Sequence, residues 1–306
     1  MKIDIFAHIL PEKYFAAVQK KAKPGSISER TTANSANTRI DVRIQVMERH
    51  PDVLQVLSVS HPALEAIVTP SDAVGLAQKA NDEVAELLLK YPDKFLTAAT
   101  CLPLNNIEAS LKETDRAIKE LRFRGVQMFS NVNGESLGAA KFRPLYEKMA
   151  HYNLPIWIHP LMGKSGDESV FGWPYETSSA MLELVASGIF RDYPDIKFIT
   201  HHCGAMAPYF EQRINWLFPL EFASYNIPNP VEEFRKFYGD TAVYGSTPAL
   251  MCAYNFFGAD HLLFGTDAPL GPHYGLTMQT IDSIHRMEIP QVEKDKIFSQ
   301  NAVRLL

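Results

Sequence analysis

Short apolar runs rich in β-branched residues alternate along the chain with longer amphipathic stretches. The runs cover residues 3–9 (IDIFAHI), 53–60 (VLQVLSVS), 95–100 (FLTAAT), 125–129 (GVQMF), 155–160 (PIWIHP), 196–202 (IKFITHH), 241–245 (TAVYG) and 261–267 (HLLFGTD). Between them, residues 71–92 and 106–123 read as helices, the second with Leu111, Ala117, Ile118 and Leu121 set among charges. Ser71 is expected to cap the first of these helices, and Pro92 follows its end. Strands separated by helices mark βα units around a parallel sheet. Eight such units predict an α/β fold, a distorted (β/α)8 TIM barrel. The competing architecture is a doubly wound open sheet, for which no GxGxxG follows the first run. Residues 21–38, KAKPGSISERTTANSANT, are polar and lack aromatic side chains, which predicts a flexible insertion after the first strand. The chain before it is too short to fold alone, so one barrel domain over residues 1–306 is expected.

Composition narrows the function classes. Hydrophobic residues make up 46% and charged residues 21%, the balance of a soluble protein with a large core. A net charge of -5 gives no basic face for a phosphate backbone, which argues against nucleic acid as a partner. Cys101, Cys203 and Cys252 are scattered and odd in number, so neither a disulfide framework nor a CxxC metal knuckle is expected. No basic stretch leading into an apolar one opens the chain, and no run of about 18 apolar residues occurs. A cytoplasmic protein without a membrane partner, acting on a small molecule, is the expectation.

In a parallel barrel the reactive groups gather at the C-terminal ends of the strands. His8 ends the first run, His159 the fifth, His201 and His202 the sixth, and Asp267 the eighth. Imidazole and carboxylate are the groups that bind divalent metals. A single histidine at a strand end is more often structural, but coincidence at four ends favours chemistry. His50, His151, His261 and His285 fall in helical or connecting segments where a solvated role suffices. His61, in SVSHPA, and His273, in LGPHYG, face the expected mouth as substrate contacts or as plain loop residues. Asp267 stands where an apolar strand runs into a turn, and a carboxylate buried there is costly unless paired or bound to a cation. Capping the next helix is the alternative, for which APLG is a poor start. Asp240, in YGDT, reads as a turn residue before the seventh strand, without chemistry.

The stretches IDIFAHILPEKY, YPDKF, GVQMFSNVNG, PIWIHP, WPYETSSAM, DYPDIKFITHHCGAMAPYFEQRI and LLFGTDAPLG occur in order across nearly the whole chain. With them the chain resembles the amidohydrolase-related decarboxylases. Within these it is most similar to the aminocarboxymuconate-semialdehyde decarboxylase-like branch, which also holds aromatic decarboxylases and a hydratase. The resemblance implies the barrel, and it implies His8, His159 and Asp267 as metal ligands. His202 matches the catalytic histidine, standing six residues before Pro208 and eleven before Arg213, with His201 left to the second layer or the core. Arg213 matches an arginine that reaches the substrate carboxylate of a neighbouring subunit, which implies a homodimer.

Two departures stand out. Phe6 occupies the position of a His or Glu ligand, and the hairpin carrying a further substrate arginine is not recognisable in residues 21–38, where neither Arg30 nor nearby Arg39 aligns. Three protein ligands plus water still describe a catalytic zinc site, with Mn or Mg as harder alternatives. The Phe6 ring would then offer an apolar wall for a planar substrate. The activity expected is metal-dependent, non-oxidative decarboxylation of a planar unsaturated or aromatic carboxylic acid. His202 would serve as acid–base group, tuned near neutrality by the cation and by Asp267, itself a proton-transfer candidate, while Arg213 would hold the carboxylate. The alternatives are a metal-dependent hydrolase or hydratase of a lactone or unsaturated acid using the same residues, and a metal-free barrel that binds a ligand only.

Overall fold

A computed structural model describes residues 1–27, 33–161 and 168–306. The strands that form the barrel are β1 (Lys2–Ile9), β2 (Val53–Val59), β3 (Phe95–Ala98), β4 (Val126–Phe129), β5 (Ile156–His159), β6 (Phe198–Thr200), β7 (Tyr238–Asp240) and β8 (Leu262–Leu263). Each pairs in parallel with its sequence neighbour. The ring closes where Ile5 N donates to Phe264 O (2.8 Å) and His8 N to Ala268 O (2.6 Å). This is the α/β (β/α)8 barrel expected. A small antiparallel hairpin, Asn131–Val132 with Glu135–Ser136, follows β4.

Alternation along each strand sorts side chains between two layers. Trp157, Ile199 and Leu263 fill the barrel interior with Ile3 and Ile5, a register shift in β1 between Asp4 and Ala7 brings Phe6 into the same cluster, and Trp157 Nε1 donates to Ile5 O at 2.8 Å. Their neighbours Ile156, Ile158, Phe198 and Leu262 point outward into the larger core beneath the helices, against Leu145, Met181 and Leu184. Strands buried on both faces explain why the sequence shows continuous apolar runs.

Three local details differ from the sequence reading. The helix Pro70–Lys90 is capped by Thr69, whose hydroxyl accepts from Asp72 N (3.3 Å), instead of by Ser71. Pro70 at the first helical position fixes that start, since its missing N–H would be unpaired there anyway. The helix Ile107–Lys119 begins at an Asn106 cap and stops short of residue 123, where the chain turns through Arg122 at φ 60.

The third difference bears on the site. β7 lies at Tyr238–Asp240, ahead of the β-branched stretch 241–245, which forms the loop after it. Propensity favours Thr-Ala-Val-Tyr, but packing favours Gly239: a Cβ there would stand 3.1 Å from the Cys203 carbonyl carbon. Asp240 therefore ends a strand instead of preceding one.

Residues 28–32 of the expected insertion lie outside the described residues. Further along, Ser35–Thr38 form one helical turn, and Asn37 O accepts from Leu10 N at 2.7 Å. Among the described residues no helix is long and apolar enough to cross a membrane.

Candidate metal centre

His8 is next to last in β1, His159 ends β5, His201 directly follows β6 and Asp267 follows β8. All four are buried, and one donor atom from each lies within 4.8 Å of the others. The position of Asp267 requires a left-handed backbone, φ 64, a conformation that costs about 1–3 kcal/mol and recurs where function demands it. Hydrogen bonds from Asp267 N to Phe6 O (3.1 Å) and from Leu270 N to Asp267 O (2.8 Å) hold that turn.

The outer nitrogen of each imidazole faces an oxygen acceptor. His159 Nδ1 meets Pro160 O at 2.7 Å, and His201 Nδ1 bonds Asp240 Oδ2. His8 Nδ1 lies 3.0 Å from Ser58 Oγ, which itself donates to Ala7 O (3.5 Å) and so accepts from the ring. Each Nδ1 is therefore the nitrogen that keeps its proton when an ion binds, which leaves each Nε2 to present a lone pair to it. His8 Nε2 and His201 Nε2 lie 3.1 and 3.2 Å from Asp267 Oδ1. All three atoms are buried, and among the described residues none has a partner in hydrogen-bonding geometry. Acceptors crowded together cannot satisfy one another; a cation satisfies them all. Ligands at about 2.0–2.2 Å from an ion stand about 3.0–3.5 Å apart when adjacent, which the two measured spacings match. The cluster is a divalent-metal site by its donors, its spacing and its burial.

The charges agree. Burial opposes charge on His201, but Asp240 and Asp267 outweigh it and push the imidazole up to about 10. Burial likewise opposes charge on Asp267, yet His201 and His8 hold the carboxyl well below its ordinary range. Two carboxylates against one imidazole make this spot attractive to positive charge. His8 and His159 have no such excess, and burial lowers both.

Aromatic rings surround the centre. Phe6, fully buried, stacks on His201 with centroids 4.2 Å apart and planes 27° apart. His61 stands 4.6 Å from His159 and 5.0 Å from Phe129, and lies nearly parallel to Trp173 at 5.8 Å. His202 is 4.0 Å from His201 and stacks toward Trp173 at 6.3 Å. Burial, then the charge of His201, pushes His202 down to about 3, so in the absence of a bound ion it is neutral instead of tuned near neutrality. His61 falls to about 3 through burial and then through His8. Tyr244 donates toward Asp267 Oδ2 at 3.5 Å.

Other sequence candidates lie apart. His273 is exposed in the turn Pro272–Tyr274, and among the described residues no ring contact joins it to the cluster. Arg213 is exposed on the helix Glu211–Glu221, its guanidinium 5.9 Å from the Phe210 ring. Sequence reasoning missed Asp240, fully buried with Oδ1 accepting from Ala242 N (2.9 Å), because the seventh strand was set too late. It also missed Trp173 and Phe129, which ordinary core composition hides. Ending the seventh run at Asp240 would have marked one more strand end with a carboxylate.

A closed parallel barrel with a buried cluster of three imidazoles and a carboxylate at its C-terminal rim defines a metal-dependent barrel enzyme. Residues 3–306 match the amidohydrolase family, and the chain belongs to it. A 2-amino-3-carboxymuconate-6-semialdehyde decarboxylase of Dictyostelium discoideum is 30% identical over 332 residues, covering 100% of this chain and 91% of that protein. A 6-methylsalicylic acid decarboxylase of Penicillium expansum is 30% identical, covering 82% of this chain and 80% of that one. The crystal structure of a dihydroxybenzoic acid decarboxylase from Polaromonas sp. JS666, with bound manganese and the inhibitor 2-nitroresorcinol, is similar with a TM-score of 0.82 at 26% identity. It covers 99% of this chain and 96% of that one. All three relatives are carboxy-lyases.

Proposed function

We propose that the protein is a metal-dependent, non-oxidative decarboxylase of a planar aromatic or unsaturated carboxylic acid, working as one domain over residues 1–306. The observation that carries this reading is the convergence of unpartnered acceptors beside the rings of His61, Phe129 and Trp173. His8, His159 and Asp267 would hold the ion, which when bound supplies positive charge to the substrate's carboxylate or neighbouring oxygen. The aromatic side chains orient a flat substrate and exclude water. His202, with Nδ1 unpartnered, is the group placed to hold and deliver a proton. The proton goes to the carbon bearing the carboxylate; the C–C bond then breaks, its electron pair returns to the ring system and carbon dioxide leaves. A neutral His202 first gains its proton when the substrate brings negative charge beside it, which offsets the cost of burial.

A buried site of imidazoles and one carboxylate suits zinc. Manganese is the second reading, because a relative's structure holds it. Arg213, exposed on its helix, fits the role of reaching a partner subunit's substrate, so a homodimer is part of the proposal. His61 and Phe6 flank the ligands, whereas His273, exposed and apart from them, is the weaker candidate for a substrate contact. Three free cysteines fit a reducing cytoplasm.

The test is carbon dioxide release from 2,6-dihydroxybenzoate, 6-methylsalicylate and muconate-like acids with added Zn(II), Mn(II) or Mg(II). Turnover that tracks metal content and vanishes in a folded His202→Ala variant is expected. Full activity in that variant removes the acid–base assignment, and acid release from lactones without carbon dioxide marks hydrolysis instead.

A further inference from the structure

Position 6 carries no donor, yet the centre still offers a fourth ligand: the buried donor group includes His201 and excludes His202. Resting on the reading of this cluster as a decarboxylase's metal site, we propose that His201 takes the place of the donor missing at Phe6 and binds the ion through Nε2, with Asp240 as its positioning residue.

Several observations meet at His201. Its Nε2 lies 3.2 Å from Asp267 Oδ1, nearly the spacing at which His8 Nε2 lies, and both nitrogens are buried without a hydrogen-bond partner. Asp240 fixes the other ring nitrogen and is itself fixed by Ala242 N and, at 3.4 Å, by Cys203 N. A carboxylate behind a ligand imidazole sets its tautomer and strengthens it as a donor. Phe6 stacks on the same ring, so the residue that cannot coordinate clamps the plane of the one that does. His202 has a different setting: its own backbone is left-handed, at φ 55, and its ring stacks toward Trp173. The adjacent histidines thus divide the work, His201 facing the ion and His202 facing the substrate.

The test needs no substrate. The full chain, stripped by chelator, is titrated with Zn(II) and Mn(II) and its Co(II) absorption spectrum is recorded. Asp240→Asn is expected to weaken binding about 10- to 100-fold, as loss of an outer partner does, and His201→Gln to weaken it more and to change the Co(II) spectrum. His202→Ala is expected to hold affinity within about threefold while turnover is lost. Wild-type affinity and spectrum in His201→Gln overturn the proposal, as does an equal loss in His202→Ala. Should His201→Gln fail to fold, unchanged affinity and spectrum in Asp240→Asn overturn it. Metal binding with this pattern but no decarboxylation would defeat the proposed function and leave the ligand assignment standing.

Discussion

Glu65 shows what burial does to a carboxyl that lacks a counter-charge. It is 3% exposed, and among the described residues its Oε1 has no hydrogen-bond partner. Burial raises it from 4.5 to about 7. Between those values the native state keeps a proton that the unfolded chain has released, so stability falls as pH rises through this window and stays lower above it. At roughly 1.4 kcal/mol per pKa unit the penalty is on the order of 3 kcal/mol at most. Glu65→Gln is therefore expected to melt above the wild type at pH 8, with the gap closing toward pH 5. Parallel melting curves for the two proteins across that range would show the carboxyl to be paired. At this scale the sequence was informative about residue type and poor about partners. His8, His159 and Asp267 were legible because they end strong apolar runs. His201 and His202 are chemically identical neighbours, and only the backbone turn between them says which one faces the cluster.

Strands β7 and β8 show how element placement tunes the site. Gly265 lies two residues past the end of β8, and a Cβ on it would stand 2.8 Å from the Asp240 Cβ and 3.4 Å from Ile5 Cγ2. The approach leaves room for hydrogen only, so Gly265→Ala must push Asp240 off His201 Nδ1. A folded Gly265→Ala protein should lose about tenfold or more in Zn(II) affinity, the range for a disturbed outer partner. Chelator competition showing wild-type affinity would mean that the barrel absorbs the methyl elsewhere. The same contact explains the misplaced seventh strand. Propensity reads side chains one segment at a time, whereas Gly239 and Asp240 are placed by what β6 and β8 bring against them.

At the scale of the molecule, the described surface carries a face that a lone barrel does not explain. Arg213, Trp216 and Leu220 follow one another at helical spacing on Glu211–Glu221, with Tyr209 just before it. Tyr209, Trp216 and Leu220 are 78%, 69% and 76% exposed, a cost in water that a second copy would remove. Light scattering should find a dimer, and Trp216→Glu should shift it toward monomer while the circular dichroism spectrum of the barrel is retained. A wild-type monomer at micromolar concentration would end this reading and with it the role given to Arg213. The sequence by itself determined the class of fold, because strands buried on both faces must be apolar throughout and the helices between them must be amphipathic. It also determined the ligand chemistry, because imidazoles and a carboxylate coincide at four strand ends, where any one of them alone would more often be structural. Only the tertiary structure decided which of these groups share an ion, that Asp240 stands behind His201, and that Phe6 stacks where a ligand was expected. Those outcomes depend on ångström distances between strands far apart in sequence, and local pattern holds no information about such distances.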